Sequence, residues 1–151
     1  MSHLLVTNDF PPKVGGIQAY LWELWRRLPA ERVTVLTTPH EGSSAFDRAQ
    51  AYRVVRSRRR VLLPTPGLLR VVRSLASEVD AGLVVLDPVL PLGLIGPHLG
   101  RPYAVVLHGA EVTVPARVPG LHRALARVLA GARHVVAAGA YPASEARRAL
   151  G

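Results

Sequence analysis

The sequence predicts a doubly wound, parallel α/β sheet, and three observations carry that expectation. Short β-branched or apolar runs alternate along the chain with amphipathic segments at helical spacing. Two of these runs, Leu83-Val84-Val85-Leu86 and Tyr103-Ala104-Val105-Val106-Leu107, are apolar throughout, as strands buried on both faces are. The first thirty or so residues pass from an apolar strand through a Pro-Pro turn and a Gly-Gly pair into an amphipathic helix, the strand–turn–helix unit from which such sheets are built.

In order, His3 to Thr7 reads as a short buried strand. Asn8 to Gly16 cannot continue it, because Pro11 and Pro12 remove donors and Gly15 and Gly16 loosen the backbone. Ile17 to Leu28 then reads as a helix. Arg32 to Thr37 is a β-branched strand, and Thr38 to Gln50, with its Pro-His-Glu-Gly-Ser-Ser core, reads as a loop. Tyr52 to Arg56 alternates apolar and charged residues like an exposed or edge strand. Ser57 to Pro66 is a basic loop, and Gly67 to Val79 is a helix that Thr65 is placed to cap. The two apolar strands flank a short proline-bounded helix, Leu90 to Leu99. Val118 to Leu129 is helical, His134 to Ala138 is a last strand, and Ser144 to Leu150 starts a final helix. Strands joined by helical crossovers make one half of a Rossmann-like fold, with right-handed connections.

Composition bounds the function. The 151 residues suffice for one domain with a real core, and a hydrophobic share of 49% argues against disorder. Without cysteine there is no disulfide framework, no thiolate metal site and no cysteine nucleophile, which fits a reducing, cytoplasmic setting. No basic region followed by a long apolar run opens the chain, so no signal peptide is expected. The longest apolar run, residues 82–99, is broken by Asp87 and three prolines and does not read as a membrane span. The formal charge of +9 suits phosphorylated ligands, an anionic membrane or nucleic acid; a coding bias toward arginine explains it equally well. The arginines crowd at Arg53, Arg56, Arg58, Arg59 and Arg60 without interleaved aromatics, which speaks against a nucleic-acid platform.

Ligands of doubly wound sheets collect at the carboxyl ends of the strands, which here are residues 8–16, 37–42, 87–91 and 108–113. Gly15-Gly16, opening a helix, reads either as an anion cradle of free N–H groups or as an ordinary tight turn. Neither GxGxxG nor a Walker A sequence is present, and no acidic residue ends the second strand, so dinucleotide binding is disfavoured. His108 follows five apolar residues and is expected at the sheet edge, where it can hydrogen-bond a substrate hydroxyl, carry a proton or cap the strand; Gly109 lets the chain turn away. Glu111 reads as a general base or, more usually, as a partner for a nearby arginine. The other histidines are scattered without metal-ligand spacing, so no metal site is expected. Trp22 and Trp25, beside Arg26 and Arg27, suit an interfacial membrane contact, together with Arg58, Arg59 and Arg60, or packing against another domain.

Together, Thr7-Asn8-Asp9-Phe10-Pro11-Pro12-Lys13-Val14-Gly15-Gly16-Ile17-Gln18, Leu63-Pro64-Thr65-Pro66, His108-Gly109-Ala110-Glu111-Val112 and the residue 140–151 tail resemble the N-terminal domain of a family 4 glycosyltransferase of the GT-B fold. The likeness is to the actinobacterial GDP-mannose-dependent phosphatidylinositol mannosyltransferases. The resemblance implies that Gly15-Gly16 meets phosphate in an interdomain cleft and that Gln18 lies near the acceptor head group. It implies that His108 contacts the transferred sugar, and that Asn8, Asp9 and Thr65 line the acceptor side. Ala110 stands where close relatives often carry a second histidine. By the same resemblance, a second Rossmann-like domain holds most of the nucleotide sugar, and Gly151 falls where the linker to it is expected. The chain thus reads as one domain, residues 1–151, of a two-domain retaining enzyme: a truncation, a split-gene product or an engineered half, inactive alone and needing no cofactor beyond its GDP-mannose donor. Its expected partners are that second domain, the nucleotide sugar, a lipid-linked or phosphorylated acceptor and an anionic membrane, with a cytoplasmic or inner-face peripheral location. The alternative is a non-enzymatic basic α/β module that binds anionic membranes or phosphorylated ligands.

Overall fold

Successive residues of a strand face opposite sides of a sheet, and here both sides are apolar. Leu4, Val6, Leu36, Val84, Leu86, Val105 and Leu107 enter one core, while Leu5, Val33, Val35, Val85, Ala104 and Val106 enter the other. That alternation inside uniformly apolar runs is what a sheet covered on both faces requires. The computed structural model describes residues 1–111 and 118–151.

The strands are β1 (His3–Thr7), β2 (Val33–Thr37), β3 (Arg53–Arg56), β4 (Leu83–Asp87), β5 (Tyr103–Leu107) and β6 (His134–Ala137). They form a six-stranded sheet in the order β3-β2-β1-β4-β5-β6, and every pairing is parallel. The expected Rossmann-like, doubly wound α/β class is what the chain adopts, with β3 at one edge as its alternating pattern foretold. Helix α1 (Gly16–Trp25) covers the second core through Leu21 and Trp25. The first core is closed by α3 (Pro66–Glu78), a 3-10 segment (Leu92–His98), α4 (Pro119–Gly131) and α5 (Ala140–Leu150).

Several boundaries differ from the sequence reading, each for a local reason. Helix α1 ends at Trp25, not Leu28: the N–H groups of Arg27 and Leu28 bond back three residues in tight turns, ahead of Pro29. The expected loop after β2 contains a short helix, α2 (Ser43–Arg48). Its stability is tertiary, because Phe46 packs edge-on against Phe10 with ring centroids 6.0 Å apart and Asp47 pairs with Arg56 at 2.7 Å. The proline-bounded segment before β5 is 3-10 rather than α-helical, with Pro97 inside it. Helix α5 starts at Ala140 rather than Ser144, since Pro142 falls in the first turn, where no N–H is needed. Thr65 does cap α3, its hydroxyl accepting from Leu68 N at 3.2 Å.

His3 packs edge-on against Trp25 at 6.0 Å, and its buried Nε2 has no hydrogen-bond partner among the described residues. Burial, helped by the nearby chain terminus, lowers its pKa below the ordinary 6.5. The unfolded chain therefore binds more protons between the two values, and stability falls as pH drops through 6.5 toward the folded value. Thermal melts at decreasing pH are expected to show this acid slope, and His3→Phe is expected to flatten it; an unchanged slope in the variant would assign it elsewhere.

Candidate functional site

The order of strands reverses between β1 and β4, and ligands of such sheets bind in the crevice at that switch point. Thr7 and Asp87 close β1 and β4 there, directly paired in register. Asp87 is 0% exposed, and a lone carboxylate so placed would be costly. Both of its oxygens are used: Thr7 Oγ1 donates to Oδ2 at 2.7 Å, and His108 Nε2 lies 2.5 Å from Oδ1. His108 leaves the end of β5 as expected, with a side chain 10% exposed. Tyr20 of α1 stands edge-on to its ring at 5.7 Å and 88°. Burial opposes charging this ring, but the hydrogen bond and charge of Asp87, with Glu111 and Asp9, outweigh it and raise the His108 pKa above 6.5.

Behind His108 the chain turns away at Gly109, whose φ of 148° a side chain would resist. Among the described residues no arginine pairs with Glu111. Its carboxylate accepts from the N–H groups of His108 and Gly109, so it satisfies the strand-end amides instead. Val112 and Thr113, at the far end of the His108 motif, lie outside the described residues.

The loop between β1 and α1 carries Asn8, Asp9 and Gly15, and α1 itself opens with Gly16 and carries Gln18. Asn8 faces inward to the polypeptide: its Nδ2 donates to Leu62 O at 3.0 Å and its Oδ1 accepts from Leu62 N at 2.7 Å, clamping the basic loop onto β1. Asp9 Oδ1 accepts from Lys13 Nζ at 3.0 Å and from Gln18 Nε2 at 2.9 Å. Gln18 is buried with its amide committed to Asp9, and a Cβ on Gly15 would run into that amide. Gly15 and Gly16 are exposed, and among the described residues no side chain caps the amides of α1 and nothing stands within 4 Å of where a Gly16 Cβ would be. The turn is therefore open, at the start of the helix whose Tyr20 touches His108.

Two hollows flank this rim. The smaller, about 380 Å³, is lined by Asn8, Asp9, Lys13, Arg60, Pro88 and Pro91 among others. The larger, about 920 Å³, runs beside it between the basic loop and α3, with an apolar floor of Leu36, Leu62 and Leu68 and a rim that includes Arg58, Arg59, Arg60 and Thr65. The side chains of these three arginines make no ion pair among the described residues. Arg53 and Arg56 are spoken for, by Glu78 at 2.7 Å and Asp47 at 2.7 Å. The expected surface role of Trp25 is overturned: the side chain is core, 6% exposed, because α1 turns it onto Val33 and His3 rather than outward. Trp22 is only partly buried; its Nε1 donates to Gln50 Oε1 at 3.0 Å, and Arg26 stacks 4.7 Å over its ring. No helix of the described residues is long and apolar enough to cross a membrane.

An alignment at 45% identity over 101 residues joins the chain to the GDP-mannose-dependent alpha-(1-6)-phosphatidylinositol monomannoside mannosyltransferase of Mycobacterium tuberculosis, covering 63% of this chain and 26% of that protein. The protein of the same name from Mycolicibacterium smegmatis is 38% identical over 117 residues, 72% of this chain and 31% of its own. A Corynebacterium glutamicum relative, named for monoacylated phosphatidylinositol monomannoside, is 31% identical over 131 residues, 83% of this chain and 34% of its own. The chain is related to the GDP-mannose-dependent phosphatidylinositol mannosyltransferases. It spans 26–34% of the length of these relatives. The crystal structure of Anabaena HepE in complex with UDP superposes on 100% of this mannosyltransferase relative and 41% of its own chain, with a TM-score of 0.69 at 18% identity. That likeness bears on fold, and it agrees with one Rossmann-like half of a GT-B architecture. No family model matches the chain.

Sequence reasoning placed residues 87–91 at a strand end but gave Asp87 no role, and it used Thr7 only as part of a motif. The available signal was an acidic side chain closing an otherwise apolar strand just before Pro88. Nothing local marks Thr7, whose partner lies 80 residues away.

Proposed function

We propose that this chain forms the acceptor-side part of a retaining mannosyltransferase that moves mannose from GDP-mannose to a phosphatidylinositol mannoside or a similar phosphorylated lipid. The reading draws most on one observation: His108 and the uncapped Gly15-Gly16 turn share the rim at the carboxyl ends of β1 and β5, linked through Tyr20. Phosphate oxygens fit the free amides of the turn and the positive end of the α1 dipole. His108 supplies a hydrogen bond to the sugar being transferred, and no nucleophile on this domain is required. Asn8, Asp9, Gln18 and Thr65 shape the acceptor side, Asn8 and Gln18 by holding the loops that form it. A second Rossmann-like domain holds the nucleotide, so the chain alone lacks the means to bring donor and acceptor together and is expected to transfer no sugar.

A purely membrane-binding module has less support. Trp25 is in the core and Arg53 and Arg56 are paired internally, which leaves Arg58, Arg59 and Arg60 as its principal contacts.

Titration calorimetry separates the readings. Micelles of a short-chain phosphatidylinositol monomannoside are expected to bind saturably, and GDP-mannose alone is not. Gly15→Ala pushes Gln18 off Asp9 and is expected to weaken acceptor binding about tenfold, roughly 1.4 kcal/mol. Equal binding of phosphatidylglycerol micelles, which lack the sugar head group, would overturn the acceptor reading. Sugar transfer by this chain alone would overturn its dependence on a second domain.

A further inference from the structure

The Thr7–Asp87–His108 chain does more than fill a strand end. Asp87 is wholly buried, and its carboxylate, an acceptor only, receives Thr7 Oγ1–H on one oxygen. The other oxygen faces His108 Nε2, so that nitrogen must carry the hydrogen and donate it. Nδ1 of the same ring has no hydrogen-bond partner among the described residues, and it is not among their sealed-off polar atoms. Tyr20 on α1 packs in a T-shaped contact with the ring, while Glu111 ties down the backbone N–H of His108 itself.

We propose that Asp87 is a positioning residue that locks His108 in the Nε2–H form, so that Nδ1 is the atom that meets the ligand. In the neutral ring Nδ1 is an acceptor for a ligand hydroxyl; in the charged ring it is an N–H donor to an anionic oxygen. The charged and titratable groups around the ring are Asp87 at the end of β4, Glu111 after β5, Asp9 in the β1–α1 loop, with Lys13 bound to it, and Tyr20 on α1. Three carboxylates against one ammonium favour the charged ring, so anionic ligands bind best on the acid side of the His108 titration and lose affinity as pH rises through it. The identity of the ligand rests on the reading above; the tautomer and its cause do not.

The test is two-bond ¹H–¹⁵N NMR of the imidazoles in the full chain, followed from acid to alkaline pH. At alkaline pH, His108 is expected to show a protonated Nε2 and a bare Nδ1, with a titration midpoint above 6.5. Asp87→Asn is expected to lower that midpoint and to mix the two tautomers. Thr7→Val keeps the carboxylate but removes its other donor, leaving more negative charge facing the ring, and is expected to raise the midpoint slightly, which keeps the test open if Asp87→Asn does not fold. A protonated Nδ1 in the native chain, or a midpoint and tautomer that neither variant alters, overturns the proposal. A parallel titration with inorganic phosphate and myo-inositol 1-phosphate distinguishes the two readings. Binding that weakens through the His108 midpoint supports both. The predicted tautomer with no binding of either compound sinks the acceptor reading and leaves the positioning role standing.

Discussion

Phe10→Ala is expected to cost this protein about 3–5 kcal/mol of stability, the usual range for truncating a fully buried phenylalanine. Phe10 is 1% exposed and is the anchor of the β1–α1 loop. Its ring meets Phe46 at 6.0 Å and Tyr52 at 6.5 Å, both edge-on. Phe10 is the buried apolar side chain of the loop, whose other ties are hydrogen bonds made by Asn8, Asp9 and Pro11, while Lys13, Val14, Gly15 and Gly16 are exposed. Removing the ring opens a cavity under the loop and takes away the surface on which α2 docks. Urea unfolding followed by circular dichroism measures the loss, and acceptor binding should fall along with it because Asp9 and the glycine turn lose their footing. A loss under about 1 kcal/mol, within the range of ordinary surface substitutions and small adjustments, would show that the loop is held by something else.

Arg56→Met comes second, at about 2–3 kcal/mol, the scale of a charged hydrogen-bonding group removed from partners that stay desolvated. The methionine preserves much of the side-chain volume, so the effect isolates the polar head. Arg56 Nη2 donates to Pro11 O at 2.7 Å and to Asp47 Oδ1 at 2.7 Å, and Nη1 donates to Thr38 O at 2.9 Å. One guanidinium thus ties together the loop after β1, the turn after β2 and helix α2. Its side chain is 13% exposed and that of Asp47 is 21% exposed, so water cannot fully replace the lost partner. Arg56→Lys is expected to recover only part of the loss, since an ammonium cannot reproduce the planar fork. Equal stability of the methionine variant in urea would mean that the three carbonyl and carboxylate groups find water instead.

These two residues also show where sequence reasoning stops. The strands were legible because burial on both faces forces apolar runs, and the sheet class followed from their alternation with helices. Thr65 was legible as a cap because capping depends on residues three apart. Arg56 was not, because it sits in a basic cluster that reads as solvated surface; only the fold brings Pro11, Thr38 and Asp47 around it. Helix α2 was missed for the same reason, as its sequence is turn-like and its stability comes from Phe10 and Arg56. Trp25 was misread because a tryptophan beside arginines looks alike at a membrane and at a helix–sheet seam. At the candidate site, His108 and the glycine pair were visible as polar or flexible breaks after apolar strands. The Asp87 partnership was not, since nothing in residues 83–91 reports what stands across the sheet.

The sheet order also sets an order of assembly. β1 lies at the middle, with β2 joined to it after a connection of ordinary length, whereas β4 must come back from the far side of α2, β3 and α3. The Thr7–Asp87 bond spans 80 residues, among the longest loops this chain has to close. Such contacts are entropically late and slow. A partly folded molecule can therefore hold β1, β2 and α1 in place, glycine turn included, while His108 still lacks its carboxylate. The imidazole signal of His108 is thus a reporter for the final docking step, one that fluorescence from Trp22 and Trp25, both on α1, will precede.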